Sequence, residues 1–127
     1  MTTEMVTLLG KDTLRLADDV MILTDLRHFP VLEEGKAIGV IHRLDLVRAS
    51  LVSLIKYRNQ SPGEILSSVA VHDLNMELPT TVSPKATLRE AARIVVEKKA
   101  DCLLVVEEGK VIGLATRTDL LREMAKG

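Results

Sequence analysis

The sequence predicts an α/β fold built of two pseudo-symmetric β-α-β-β-α repeats packed sheet to sheet as one module. Three observations carry that prediction. Slid over itself by 74 positions, residues 11–49 match residues 85–123 without a gap, with 16 of 39 positions identical; about two to four would coincide by chance. Each copy runs through the same signals: a β-prone stretch, a capped helical pattern, an apolar run, a charged turn, a second apolar run and a helix. A length of 127 residues with 46% apolar and 28% charged side chains suits one soluble globular domain.

The second copy shows the elements most clearly. Thr81-Val82 is a short β-prone stretch closed by Ser83-Pro84. Thr87 and Glu90 have the spacing of a capping box, in which a hydroxyl and a carboxylate satisfy orphan amides at a helix start. Leu88, Ala91, Ala92 and Val95 recur at helical spacing through Lys99. Cys102–Val106 is an apolar run short enough for a buried strand, Glu107–Lys110 a turn, Val111–Ala115 a second strand, and a helix follows to about Lys126. The first copy repeats this with a helix over 13–26, strands over 28–32 and 37–41, and a helix from 43 to Tyr57. Between the copies, Ser61-Pro62-Gly63-Glu64 combines an N-cap, proline at the first helical position and glutamate at the third. A short helix over 64–69 and a helical turn near 71–75 follow. Strands this few and short do not stand alone, so the two copies are expected to share one core.

Composition removes several classes of function. Lys+Arg number 17 against 18 Asp+Glu, which argues against nucleic acid as the partner because that binding is driven by phosphate neutralisation. No apolar run reaches the roughly 20 residues of a membrane span. The N-terminus lacks a basic-then-apolar leader, so a cytoplasmic location is expected. One cysteine, Cys102, excludes an intrachain disulfide framework and a Cys-cluster metal site. One Phe, one Tyr and no Trp demand an aliphatic core.

The chemistry gathers where the last strand of each copy hands over to a helix. In the second copy this is Gly113-Leu114-Ala115-Thr116-Arg117-Thr118-Asp119; in the first it is Gly39-Val40-Ile41-His42-Arg43-Leu44-Asp45. A helix N-terminus suits a phosphate, and a carboxylate can accept from both hydroxyls of a ribose. Thr116, Arg117 and Asp119 together read as a mononucleotide grip. The same Thr116-x-x-Asp119 spacing is also a capping box, and duplication does not choose between the two, since a cap would be duplicated too.

The ordered set V-x-D…T-V-S-P-x-x-T-L-x-E-A…L-x-V-V-E-E-G-K-V-I-G-L-x-T-x-x-D-L-L, running from Val71 to Leu121, resembles a cystathionine-β-synthase (CBS) domain. Arg27–Leu32, Gly35 and Gly39-Val40-Ile41-x-x-x-Asp45 resemble a second, and the two together a tandem pair, or Bateman module. On this resemblance residues 1–58 form the first CBS repeat, its lead helix missing or short, and 59–127 the second with its lead helices. The resemblance implies two clefts that bind an adenosine compound: AMP, ADP, ATP or S-adenosylmethionine. It implies that Asp119 takes the ribose hydroxyls and Thr116 approaches the phosphate. In the first copy Asp45 matches while His42 replaces the hydroxyl, and an imidazolium meets phosphate better than a neutral ring. The purine is implied to lie against Thr81-Val82 with Asp101-Cys102-Leu103, or, in the first copy, Thr7-Leu8 with Arg27-His28-Phe29. The chain departs from the family at Leu104, where proline is usual, as at Pro30, and at Asn75, where the lead helix usually has methionine.

The remaining candidates have plainer readings. Cys102 in an apolar strand reads as a small buried hydrophobe. His28 and His72 have no second ligand at metal spacing, and Gly35-x-x-x-Gly39 lacks the Lys-Ser/Thr of a P-loop. Glu33-Glu34 and Glu107-Glu108 sit at hairpin tips, away from the shielded cleft that acid–base chemistry wants. The expectation is a non-catalytic regulatory module with no catalytic cofactor, a homodimer acting on a regulated protein. The alternative is a ligand-free dimerisation or interaction module using the helices after Arg43 and Arg117, with Leu46, Val47, Leu51, Leu120, Leu121 and Met124.

Overall fold

A computed structural model describes residues 5–74 and 76–126. Asn75, the departure noted in the lead segment, lies outside the described residues. The chain forms mixed α/β structure with two three-stranded sheets and divides into two compact units, Val6–Leu78 and the chain from Pro79 onward, to which Met5 also belongs.

In the first unit, β1 (Leu8–Leu9), β2 (His28–Glu33) and β3 (Lys36–His42) form a sheet in that order. β1 runs parallel to β2, and β2 antiparallel to β3 with His28 opposite His42. The first strand forms at Leu8–Leu9, one residue later than Thr7-Leu8, because Leu8 is the side chain that enters the core at 2% exposure. Helix α1 (Leu14–Leu23) starts at Thr13, whose hydroxyl accepts from the Leu16 amide. It stops three residues short of the expected 26, where Thr24 turns extended. Helix α2 (Arg43–Lys56) follows β3 directly. Phe29, the one phenylalanine, is fully buried with Leu8, Leu14, Val31, Ile41 and Leu46; burying such a side chain stabilises by about 1.5–3 kcal/mol.

Helix α3 (Pro62–Ser68) and a three-residue 3-10 turn (Val71–Asp73) belong to this same unit. α3 packs against α1 and α2, with Ile65 at 1% exposure. The segment that sequence order groups with the second repeat thus completes the core of the first. Beyond it, the Val40 amide donates to the Glu77 carbonyl at 3.0 Å. A Cβ on Gly39 would stand 2.8 Å from the Met76 Cβ, so this close approach needs glycine.

The second unit repeats the plan. β4 (Thr81–Val82), β5 (Cys102–Glu107) and β6 (Lys110–Thr116) form a sheet in that order with the same parallel and antiparallel pairings. Helix α4 (Leu88–Lys98) carries the full capping box, Glu90 N–H to Thr87 Oγ1 at 3.1 Å and Thr87 N–H to Glu90 Oε2 at 3.3 Å. It ends on Lys99 in the left-handed conformation. Helix α5 (Arg117–Lys126) closes the unit. Val82, Ala91, Val95, Leu103, Val105 and Leu120 form its core. Both hairpins turn through two residues at positive φ, Glu34-Gly35 and Glu108-Gly109, the twist that a two-residue hairpin loop favours.

Candidate functional site

At the β6–α5 junction the Asp119 amide donates to Thr116 Oγ1 at 3.1 Å, and the Thr116 amide donates to Asp119 Oδ2 at 3.0 Å. The capping box is therefore present, and both side chains are engaged in it. It uses one carboxylate oxygen. Asp119 Oδ1 stands 3.9 Å from Arg122 Nη1, with the Asp119 side chain 27% exposed. The threonine hydroxyl accepts in the cap and keeps its own proton to donate.

Arg117 turns back to the residue before β5. Its amide donates to the Asp101 carbonyl at 3.0 Å and its guanidinium to Asp101 Oδ1 at 2.5 Å, with both side chains half exposed or more. Cys102 is buried opposite Thr116 on the neighbouring strand. Thr81 is exposed at the sheet edge opposite Leu104. The Val82 and Leu103 side chains are buried in the core with Ala91 and Val95. Alternation along a strand sends neighbouring side chains to opposite faces, and these two take the helix side.

The first copy's junction has the same shape and different chemistry. The His42 amide donates to Asp45 Oδ2 at 3.3 Å, and the Leu44 amide donates to His42 Nδ1 at 3.0 Å. The His28 ring meets His42 edge-on, centroids 4.8 Å apart and planes at 84°. Arg43 turns to helix α1. Its guanidinium donates to the Met21 carbonyl at 2.6 Å and to the Thr24 carbonyl, closing the C-terminal end of α1, where unsatisfied carbonyls carry partial negative charge. The reason is visible at one position: Asp101 in the second copy corresponds to Arg27 in the first, so Arg43 has no carboxylate there and reaches for carbonyls instead.

A pocket of about 410 Å³ opens on the second unit beside the β4–α4 loop, lined by Thr81, Val82, Ser83, Lys85, Ala86, Glu90 and Ile94. It does not include Thr116 or Asp119. Thr81 and Val82 are the β4 pair named from the sequence; the other walls come from the following loop and one face of α4, which no residue pattern marks. Among the described residues no group of three or more His, Cys, Asp or Glu side chains is arranged to hold a metal, and no helix is long and apolar enough to cross a membrane.

The CBS domain family matches residues 1–52 and 71–126, and the chain belongs to that family. It is 29% identical over 118 residues to an inosine-5'-monophosphate dehydrogenase from Korarchaeum cryptofilum, covering 92% of this chain and 22% of the dehydrogenase. The chain spans less than a third of the length of the curated relatives it matches. Among solved structures, a CBS domain-containing protein of unknown function from Kribbella flavida superposes with a TM-score of 0.81 at 20% identity, over 98% of this chain and 94% of that one. CBSX2 in complex with AMP superposes with a TM-score of 0.72 at 24% identity, over 97% and 89%. These are matches of fold.

Proposed function

We propose that the chain is a non-catalytic regulatory sensor that binds an adenosine compound, AMP, ADP, ATP or S-adenosylmethionine, at the β6–α5 junction. The observation that carries this reading is the division of Asp119: Oδ2 closes the cap and Oδ1 is outside it. A carboxylate held in the cap by one oxygen, its other oxygen 3.9 Å from the exposed Arg122 guanidinium, can still accept from a ribose hydroxyl, a charge-assisted bond. The Thr116 hydroxyl and the start of α5 face the place a phosphate would take. Membership of the CBS family and the AMP bound by CBSX2 support the ligand class. The first junction is the poorer site, because His42 spends Nδ1 on the Leu44 amide and Arg43 is held by α1. Ligand would act by linkage, favouring one state of the chain that a regulated partner reads. A homodimer in the cytoplasm is part of this proposal.

The test is calorimetric titration with AMP, ADP, ATP, S-adenosylmethionine and NAD on the wild type, Asp119→Ala and Asp119→Asn. Asparagine keeps a cap acceptor and removes the charge. Losing a charged hydrogen bond costs about 1.5–3 kcal/mol, so both variants weaken binding about 10- to 100-fold. Binding undiminished in Asp119→Ala overturns the site.

A second reading, a ligand-free dimerisation or interaction module, is favoured by one observation. Leu51, Val52 and Ile55 are 55%, 62% and 70% exposed along α2, more apolar surface than an ordinary solvated helix face carries. Binding to none of the five ligands, together with a dimer by light scattering that Val52→Glu dissociates, selects it.

A further inference from the structure

The arginine that opens α2 and its twin that opens α5 stand beside residues of opposite charge. Arg43 N–H donates to the Arg27 carbonyl at 2.7 Å, and Arg117 N–H to the Asp101 carbonyl at 3.0 Å, so positions 27 and 101 are equivalent in the two units. The guanidiniums part there. Arg43 leaves for the Met21 and Thr24 carbonyls at the end of α1, whereas Arg117 stays on Asp101 Oδ1 at 2.5 Å. Helix α4 gives Arg117 no equivalent anchor. The Val95 carbonyl, twin of Met21's, already accepts the Lys99 and Ala100 amides through the left-handed cap. Asp101 therefore keeps Arg117 at the β6–α5 junction and cancels its charge there.

Arg122, the other arginine of α5, faces Asp119 Oδ1 at 3.9 Å. Both guanidiniums of this junction are thus already opposite a carboxylate. On the adenosine reading of the junction, on which this rests, we propose that Asp101 sets the ligand charge it accepts: an adenosine compound with one phosphate or none, AMP or S-adenosylmethionine, is taken in preference to ADP and ATP. One phosphate at the start of α5 can be met by helix amides and the Thr116 hydroxyl, neither of which needs a net charge. Each further phosphate adds negative charge with no uncommitted guanidinium to receive it, and gains Arg117 only by displacing Asp101. Asp101 acts through Arg117 as a positioning residue. Both side chains are half exposed or more, so a water-like dielectric applies. There, unit charges roughly 5 Å apart shift an equilibrium about fourfold.

The test is calorimetric titration of AMP, ATP and S-adenosylmethionine into the full chain as wild type, Asp101→Asn and Asp101→Asn/Arg117→Gln, in about 20 mM and about 0.5 M salt. In low salt the wild type binds ATP no more tightly than AMP. Asp101→Asn leaves Arg117 uncancelled, so ATP affinity rises about tenfold and AMP affinity about threefold, with S-adenosylmethionine unchanged. The double variant, whose pair is neutral again, returns to wild-type selectivity, a reversal that damage to the fold would not produce. High salt removes most of the Asp101→Asn gain, because screening then acts within about 4 Å. Wild type binding ATP tenfold more tightly than AMP overturns the proposal. So does an ATP-to-AMP ratio unchanged in Asp101→Asn, or a gain that survives in the double variant; the adenosine reading stands in these cases if Asp119→Ala still abolishes binding. Binding of none of the three compounds to the wild type or to Asp101→Asn overturns both.

Discussion

The two repeats share a backbone plan and differ in what lies over it. The first carries an extra layer, α3 and the 3-10 turn, and its Leu14 is 1% exposed; the twin Leu88, over which no such layer lies among the described residues, is 38% exposed. The first anchors Arg43 on the carbonyls at the end of α1, while the second pairs Arg117 with Asp101. Identical residues at equivalent positions therefore do different work, according to one neighbour that is not identical. The lesson is that duplication preserved the strands, caps and turns, and that function follows from the positions where the copies diverged.

That difference is open to measurement. The largest expected effect is at the twin leucines. Leu14→Ala leaves a cavity in a closed core and costs about 2–5 kcal/mol, whereas Leu88→Ala, at a half-open position, costs under about 1 kcal/mol. Urea unfolding of both variants checks this, and equal losses would mean that the extra layer contributes nothing at Leu14. Next comes Gly39→Ala. Its new Cβ collides with Met76 Cβ and crowds the Glu77 carbonyl, with an expected loss of about 1–3 kcal/mol and faster exchange of the Val40 amide. The twin arginines should separate as well. Arg43→Ala removes charged hydrogen bonds to two carbonyls in a part-buried place and costs about 1.5–3 kcal/mol. Arg117→Ala breaks a half-exposed pair and costs about 0–1 kcal/mol, a cost that 1 M salt should erase in the wild type. The smallest effect lies at the hairpin tips, where Glu34 and Glu108 hold φ near 50°. Glu108→Gly relieves that conformation and should raise stability by about 0.4–1 kcal/mol, read as an upward shift in melting temperature.

Much of the fold was legible because its signals are local. The offset of 74 exposed the duplication, Thr87 and Glu90 marked the start of α4 to the residue, and Glu-Glu-Gly-Lys marked both hairpins. Helix α1 was drawn too long, since nothing local between Leu23 and Leu26 announces its end. Thr24 turns extended there, and its carbonyl is met by Arg43, nineteen residues away in sequence. The candidate site was half legible. Thr116 and Asp119 do meet, in the capping geometry their spacing allows. That the Val82 and Leu103 side chains enter the core is not legible in the sequence, because strand residues of either face look alike in an apolar run.

The amino-acid pattern alone was enough for the duplication, the order of elements, the caps and the turns, because each depends on residues within a few positions of one another. Folding in three dimensions assigned the 62–73 segment to the first unit, and sent Arg43 to α1 and Arg117 to Asp101. Those outcomes depend on which distant backbone and charge come within about 3 Å, and no periodicity in a chain records that distance.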